Sequence, residues 1–263
     1  MSGIDSRAII SPKAQLAEGV TVGPYTVIED GVEIGKGTWV GPHAVIKGPT
    51  RIGADNKIFQ FASIGDAPQD LKYKGEPTRL EIGDRNVFRE FTTMNRGTVG
   101  GGGVTVIGSD NLFMAFTHVA HDCRVGSRIV MANYATLAGH VELGDWVIMG
   151  GYSGTHQFTN VGAHAFIGNN AAVTRDVPPY VMAVGTPAVP HSINSEGLKR
   201  RGFTPVMISA LREAYKIIYR RGLPLDAARA ELHKRQQEIP EAAEHLQTML
   251  DFLEVASRGI IRP

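Results

Sequence analysis

The chain has 263 residues, 43% of them hydrophobic, and a formal net charge of +1 with histidine neutral. This composition allows a sizeable core, and the near-neutral charge gives no reason to expect nucleic-acid binding or bulk attraction to a membrane. No apolar stretch approaches the ~20 residues of a membrane-spanning helix, so we expect no membrane span. The single cysteine, Cys123, allows no internal disulfide. Because no signal-peptide pattern is visible, these features predict a soluble cytoplasmic protein.

An aliphatic residue recurs at every sixth position from Ile10 to Ile64 without a miss. The pattern resumes in the same phase after a gap, slips by one residue, and runs from Ile107 to Val173 with Thr155 as its only polar member. A helix would require spacings of three and four, and a simple strand a spacing of two. A fixed period of six is typical of a hexapeptide solenoid, in which three short sides close a coil of about 18 residues and coils stack about 4.8 Å apart. The sequence therefore predicts a mainly β fold built as a parallel β-helix.

Two insertions interrupt the predicted solenoid, which we expect to span residues 1–190. The segment 66–79 keeps the phase, whereas the glycine-rich segment 97–105 shifts it. Loops expelled from a rigid solenoid often carry function, although the glycine-rich segment could equally be a flexible bulge without a role. It lacks the lysine and the strand-to-helix context of a phosphate-binding loop.

The pattern changes to helical spacing in residues 191–263, which we expect to form an α-helical C-terminal domain. Thr204 and Pro205 are a good N-cap and first-turn pair, and the helix that they begin should end near Arg220. A second helix is expected over 225–237 and a third from about Pro240. Such a domain could cover the open end of the solenoid and build an oligomer interface.

Steps of eighteen residues place distant side chains above one another. His121 should stack with Gly139 and Gln157, and Asp122 with His140. A neutral imidazole can take the proton of a hydroxyl group, and a neighbouring carboxylate can orient the ring. A backbone N–H at the glycine could stabilise the oxyanion of a tetrahedral intermediate. This combination of groups favours acyl transfer to a hydroxyl.

Three other interpretations stay open at this point. His121 could be an ordinary surface histidine, or the whole solenoid could be a non-catalytic scaffold. The clustered histidines could also hold zinc, which needs three or four ligands. We expect no metal site, because the column pairs His121 with Gly139 and Gln157 rather than with further histidines.

Several motifs together resemble the UDP-N-acetylglucosamine O-acyltransferases, the enzymes of the first step of lipid A biosynthesis in Gram-negative bacteria. The motifs are QDLKYKGEPTR (69–79), IGDRN (82–86), HVAHDCRVG (118–126), LAGHV (137–141), HQF (156–158), DVPPYV (176–181) and NSEGLKRRGF (194–203). The resemblance implies a left-handed parallel β-helix with a C-terminal α-helical domain, assembled as a homotrimer with active sites between subunits. It implies transfer of a 3-hydroxyacyl chain from acyl carrier protein to the glucosamine 3-hydroxyl of UDP-N-acetylglucosamine. No cofactor is implied beyond the phosphopantetheine arm that carries the acyl donor.

The resemblance also assigns roles to individual residues. It implies that His121 is the general base, that Asp122 is its partner, and that Gly139 donates the oxyanion N–H. The residues implied for the sugar and donor site are Gln69, Asp70, Lys72, His118, His140, His156 and Gln157. Those implied for the nucleotide and the phosphopantetheine arm are Asn194, Glu196, Arg200 and Arg201.

Two positions depart from the family pattern. Asn95 stands where members often have a histidine, which puts a contact there in doubt. Asn169 stands where residue size limits the length of the acyl chain, and because Asn is larger than Gly we expect a chain shorter than the longest that the family uses. The tail is rich in Lys and Arg between Lys199 and Arg221, which fits either a dock for the acidic acyl carrier protein or an ordinary helix surface. The sister N-acyltransferases of the pathway have a different tail sequence and are disfavoured.

Overall fold

The computed structural model describes residues 3–256 and 259–263. Its strands form three sheets, and as far as Ala172–Val173 successive strands of the chain join the three sheets in turn, whereas the last two strands both join the first sheet. Nearly all neighbouring strands are parallel; the exception is the final pair, Val181–Val184 with Val189–Ile193, which is antiparallel. The chain is a left-handed parallel β-helix followed by a C-terminal α-helical region.

The three sheets are the three sides of a prism. The strands are short, because each side of this prism is only a few residues wide. The first sheet contains Gly3–Ile4, Thr21–Val22, Trp39–Val40, Lys57–Ile58, Val87–Phe88, Leu112–Phe113, Val130–Met131, Ile148–Met149, Phe166–Ile167, Val181–Val184 and Val189–Ile193. The second contains Ile9–Ile10, Val27–Ile28, Val45–Ile46, Ser63–Asp66, Thr93–Asn95, His118–Val119, Thr136–Leu137, Gly154–Thr155 and Ala172–Val173. The third contains Gln15–Leu16, Val32–Ile34, Thr50–Ile52, Arg79–Ile82, Val104–Ile107, Arg124–Val125, Glu142–Leu143 and Asn160–Val161.

The period-six aliphatic side chains fill the inside of the prism, as predicted. From Val22 onward every member of the series is buried, including the polar Thr155, whereas Ile10 and Leu16 near the first coil are partly exposed. Phe88 and Phe113 stack inside the prism with ring centroids 5.0 Å apart. Each such apolar side chain contributes roughly 1.5–3 kcal/mol when fully buried, which is why a stack of coils is stable where one coil would not be.

Corners of the prism depend on two backbone features. The residue three positions after most aliphatic residues is left-handed, with φ between 55° and 67° at non-glycine positions such as Tyr134 and Asp122. The glycines directly after the aliphatic residues are needed for a different reason. A Cβ on Gly35 would lie 2.6 Å from the backbone carbon of Gly53, so close approach of the next coil, and not a positive φ, requires glycine there.

Both insertions leave the prism at one corner, between the second and third sheets. Ile58 pairs with Phe88, thirty positions on instead of eighteen, so twelve residues, 67–78, are extruded. Phe88 pairs with Phe113, twenty-five positions on, so seven residues, 97–103, are extruded at the next coil. Seven is one more than a hexapeptide, which explains the slip in phase.

Four α-helices follow the solenoid: α1 (Ser195–Arg200), α2 (Pro205–Tyr219), α3 (Leu225–Glu238) and α4 (Ala243–Val255), with a short 3-10 turn at Pro240–Ala242. The Thr204 side chain caps α2 at the N–H of Met207, as its sequence predicts. α2 packs on the last strand, where the Tyr215 hydroxyl donates to the carbonyl of Pro190 at 3.1 Å. None of the helices in the described part of the chain is both long and apolar enough to cross a membrane.

Candidate functional site

The corner between the second and third sheets, named here the His121 corner, carries the predicted column. His118 pairs in register with Thr136, and Thr136 with Gly154, so residues eighteen apart do lie above one another. The backbone N–H of His140 donates to the carbonyl of His121 at 3.0 Å. These contacts confirm the stacking of His121 with Gly139 and of Asp122 with His140.

His121 and Asp122 form a buried, hydrogen-bonded pair. Nδ1 of His121 lies 2.8 Å from Oδ2 of Asp122, and the two side chains are 9% and 0% exposed. The carboxylate accepts the Nδ1 proton, which leaves Nε2 of a neutral ring free as a proton acceptor. Nε2 of His140 lies 3.6 Å from the same Oδ2. The geometry is that of a general base with an orienting carboxylate.

Gly139 has no room for a side chain, because the imidazole of His121 occupies that space. A Cβ on Gly139 would lie 2.5 Å from Cε1 and 2.7 Å from Nε2 of His121. The Gly139 N–H has no acceptor among the residues that the structure describes. An unpaired N–H next to the base is the feature that an oxyanion donor requires.

Two further histidines at this corner are held neutral. Burial lowers the pKa of His118, with a smaller contribution from His121, and Nδ1 of His118 lies 2.7 Å from the Thr93 hydroxyl. Burial also lowers the pKa of His140, although the charges of Asp122 and Asp70 oppose that effect. His140 stacks on Phe158 at 4.3 Å between ring centroids. Uncharged rings of this kind suit hydrogen bonding to a sugar or an amide.

The first insertion brings its predicted residues to the same corner. Asp70 is close enough to His140 to act on its pKa, and its Oδ1 accepts from the N–H of Lys72 at 2.9 Å. Gln69 and the side chain of Lys72 are exposed beside it. Asn95, the first departure from the family pattern, anchors this insertion: its Nδ2 donates to the carbonyl of Ala67 at 3.0 Å.

His156 and Gln157 continue the column one coil further on. Both are exposed, and Nδ1 of His156 lies 3.0 Å from the carbonyl of Gln157. Asn169 is exposed as well, and its Oδ1 accepts from the N–H of Gly151 at 3.0 Å. That hydrogen bond fixes the direction of the Asn169 side chain.

The residues predicted for the nucleotide lie at a different corner, between the third and first sheets, named here the Trp146 corner. Asn194 caps α1 at the N–H of Gly197 and donates to the carbonyl of His164 at 3.0 Å. Arg201 donates to Nδ1 of His164 at 3.0 Å, and its guanidinium lies 5.0 Å from the ring centre of Trp146. Asn194 and Arg201 thus both have structural partners at this corner.

The remaining two predicted nucleotide residues, Glu196 and Arg200, are exposed on α1. Glu196 forms an ion pair with Lys199 at 2.9 Å. The exposed guanidinium of Arg200 makes no hydrogen bond within the described residues, so it is available to a ligand.

Part of the positive charge of the tail is paired internally. Lys216 lies 3.4 Å from Glu213, and Arg221 also contacts that carboxylate. Arg220 is exposed beyond them.

One cluster at this corner has the side-chain types that bind metals. His121, Asp122 and His140 have ligand atoms within 4.8 Å of one another, and they form the one such group in the described chain. The Asp122 oxygens, however, already accept hydrogen bonds from Thr98 and His121 at 2.6–2.8 Å. The Asp122 carboxylate is therefore engaged as a hydrogen-bond acceptor, including from the imidazole of His121.

Three residues at the His121 corner were not predicted from the sequence. Phe158 stands eighteen positions after His140, so counting in steps of eighteen residues could have placed it at this corner. Thr98 binds the Asp122 carboxylate, and the Thr105 hydroxyl accepts from the N–H of Asp122 at 2.8 Å. The slip in phase near these two threonines was the available signal.

Comparisons with known proteins agree with this geometry. A family model described as Udp N-acetylglucosamine O-acyltransferase, Domain 2, matches residues 176–261. The acyl-[acyl-carrier-protein]–UDP-N-acetylglucosamine O-acyltransferase of Janthinobacterium sp. (strain Marseille) is 57% identical over 262 residues and covers 100% of both chains. The structure of LpxA from Acinetobacter baumannii has a TM-score of 0.94 at 48% identity, covering 99% of this chain and 100% of that one. The UDP-N-acetylglucosamine O-acyltransferase of Moraxella catarrhalis RH4 has a TM-score of 0.96 at 43% identity, with 99% and 100% coverage.

Full-length identity at this level, together with the same fold, establishes the family. The chain belongs to the acyl-[acyl-carrier-protein]–UDP-N-acetylglucosamine O-acyltransferases.

Proposed function

We propose that the chain transfers a 3-hydroxyacyl group from acyl carrier protein to the 3-hydroxyl of UDP-N-acetylglucosamine, the first step of lipid A biosynthesis. The observation that carries the proposal is the buried His121–Asp122 pair at 2.8 Å beside the unpaired N–H of Gly139. Relatives that cover 100% of the chain are named for this reaction.

The chemistry follows from the positions of three groups. Nε2 of His121 takes the proton of the sugar hydroxyl as its oxygen attacks the thioester carbonyl. Asp122 stabilises the imidazolium that forms, and the N–H of Gly139 donates to the carbonyl oxygen as it becomes negative. The C–S bond then breaks, and the imidazolium returns its proton to the departing thiolate of the phosphopantetheine arm. The acyl group arrives already activated as a thioester, so we propose that no metal or other cofactor takes part.

Substrate binding is proposed for the side chains around this pair. The neutral rings of His118 and His140, with Asp70, Lys72 and Gln69 of the first insertion, would bind the sugar and the donor. His156 and Gln157 extend that surface by one coil. Glu196 and Arg200 suit a ribose hydroxyl and a phosphate, respectively, and the exposed basic groups of the tail suit an acidic carrier protein.

A homotrimer is proposed because one chain places its predicted site residues at two separate corners. The base lies at the His121 corner, whereas Asn194 and Arg201 lie at the Trp146 corner beside His164. A closed threefold assembly can face the His121 corner of one subunit toward the Trp146 corner of the next, which would complete three equal sites. A cytoplasmic location is proposed because Cys123 is a free, buried thiol, as expected in a reducing compartment.

The activity is tested by incubating the protein with UDP-N-acetylglucosamine and 3-hydroxyacyl carrier protein and measuring the acylated sugar nucleotide by mass spectrometry. We expect wild type to form the product and His121→Ala to lose about 100-fold or more in kcat, as for other general bases. The matched control is His43→Asn, which changes an exposed histidine stacked between Tyr25 and Phe61. An inactive wild type, or a fully active His121→Ala, would refute the proposal; stoichiometric zinc in elemental analysis would favour a metal enzyme.

Chain length is tested with a panel of donors in the same assay. Asn169 projects a larger side chain than glycine, and its hydrogen bond to the Gly151 N–H holds that side chain in place. We therefore expect Asn169→Gly to move the preferred donor toward longer acyl chains, as a rise in kcat/KM for the longer donors. The neighbouring exposed residue Asn170 provides the control variant Asn170→Gly. An unchanged preference in Asn169→Gly would show that this residue does not set chain length.

A further inference from the structure

The loop 97–103 closes on the carboxylate of Asp122. The backbone N–H of Thr98 donates to Oδ1 of Asp122 at 2.7 Å, and the Thr98 hydroxyl donates to Oδ2 at 2.6 Å. With the bond from His121 Nδ1 at 2.8 Å, the carboxylate accepts three hydrogen bonds. A carboxylate held at both oxygens cannot rotate without breaking charge-assisted hydrogen bonds.

Gly101 is required by this contact, and Gly102 and Gly103 are required by their backbone conformation. A Cβ on Gly101 would lie 2.0 Å from Cγ of Asp122, so a side chain there would displace the carboxylate. Gly102 and Gly103 have φ of 92° and 80°, which L side chains rarely adopt. Gly100 has neither constraint, because its φ is not positive and a Cβ there would meet nothing within 4 Å. The loop is therefore shaped around Asp122 at defined positions.

The loop also holds Thr98 firmly. The Thr98 carbonyl accepts from the N–H of Gly103 at 2.8 Å and from that of Gly101 at 3.1 Å, which closes the loop on itself. At its base, the N–H of Arg79 donates to the carbonyl of Gly103 at 2.9 Å. Thr98 is thus tied to the rigid third sheet through Arg79.

We propose that Thr98 is a positioning residue, and that the loop 97–103 serves to fix the Asp122 carboxylate in the orientation that holds the His121 ring for catalysis. This inference rests on the proposed function of the His121–Asp122 pair. The N–H and the hydroxyl of Thr98 both donate to Asp122, so Thr98 acts on the base through that carboxylate. Loss of its hydroxyl removes the hydrogen bond to Oδ2, the oxygen that faces Nδ1 of His121, so the base is held less firmly in the transition state while substrate binding is retained.

The test compares Thr98→Val and Thr98→Ser in the acyl-transfer assay. Thr98→Val keeps the size and the backbone N–H but removes the hydroxyl, and we expect kcat to fall about tenfold with KM for UDP-N-acetylglucosamine within about twofold of wild type. Thr98→Ser restores the hydroxyl and should return kcat to near the wild-type value. The second pair is Gly101→Ala, expected to lower kcat in the same way, against its matched control Gly100→Ala, expected to leave kcat unchanged.

Each result has a defined meaning. An inactive wild type would refute the proposed function itself. An active wild type with an unchanged kcat in Thr98→Val, or equal losses in Gly100→Ala and Gly101→Ala, would refute the role of the loop alone. If Thr98→Val shows no cooperative thermal unfolding transition, that variant does not fold and the glycine pair decides the question. Gly100→Ala and Gly101→Ala differ only in what the added methyl group meets.

Discussion

Asp122 and His140 occupy the same left-handed corner position in consecutive coils, with φ of 60° and 61°. Asp and His tolerate this conformation better than β-branched residues do. Because the backbone conformation repeats, the two side chains leave the prism in the same direction, and Nε2 of His140 comes within 3.6 Å of Oδ2 of Asp122. A carboxylate and a histidine eighteen residues apart are enough to build this contact.

His164 holds the same position at the Trp146 corner and carries a pH-dependent part of the stability. Burial, followed by the nearby Arg201 charge, lowers its pKa to about 4. The unfolded chain has a histidine pKa of about 6.5, so between these two pH values the unfolded state binds more protons than the folded state. The contribution of His164 to the free energy of unfolding is therefore complete above about pH 6.5 and is lost as the pH falls toward about 4.

The corresponding prediction concerns His164→Asn, in which an amide oxygen can still accept from Arg201. We expect the free energy of unfolding of this variant to fall less than that of wild type between pH 7 and pH 5, measured by urea titration at several pH values. His191→Asn, which changes an exposed histidine, serves as the control. Parallel slopes for wild type and His164→Asn would contradict the assignment.

At the level of secondary-structure elements, the sequence predicts what is periodic and misses what is not. The solenoid and α2 were predicted because their apolar residues recur at fixed spacing, and α2 begins at Pro205 after the Thr204 cap as expected. The six residues of α1 are too few to show a helical period, so this helix was not predicted.

The same distinction applies to the site. The stacking of His121, Gly139 and Asp122 can be predicted by counting residues, because the hydrogen bonds between neighbouring strands fix which residues lie above one another. The contact of Thr98 with Asp122 could not be predicted by counting residues, because an extruded loop can fold back in many ways. The internal bonds that select one way, such as that between Gly103 N–H and Thr98 carbonyl at 2.8 Å, depend on φ values that the spacing of residues does not reveal.

On the scale of the whole molecule, the two separated corners lead to a prediction about subunit mixing. His121→Ala and Arg200→Ala remove one group from each corner, and the exposed Arg200 has no hydrogen bond to lose within the described chain. If neighbouring subunits complete each site, every mixed trimer contains one intact site of three, made from one variant of each kind, and the activity of purified mixed trimers should recover to roughly a third of wild type.

The measurement uses two affinity tags to isolate mixed assemblies and native mass spectrometry to establish that each contains three chains. Two differently tagged copies of His121→Ala, purified in the same way, give the background rate. Mixed trimers that stay at this background would place both groups of each site in a single chain.

Because both insertions leave the solenoid at one corner, the positions of the strands in the three sheets do not depend on how long the insertions are. His118 pairs with Thr93, twenty-five residues before it, and with Thr136, eighteen residues after it, yet both neighbours belong to adjacent coils of one sheet. Loops of twelve and seven residues have been added without moving the column. The loops at this corner can therefore gain or lose residues while His121 and Asp122 remain on an unaltered frame.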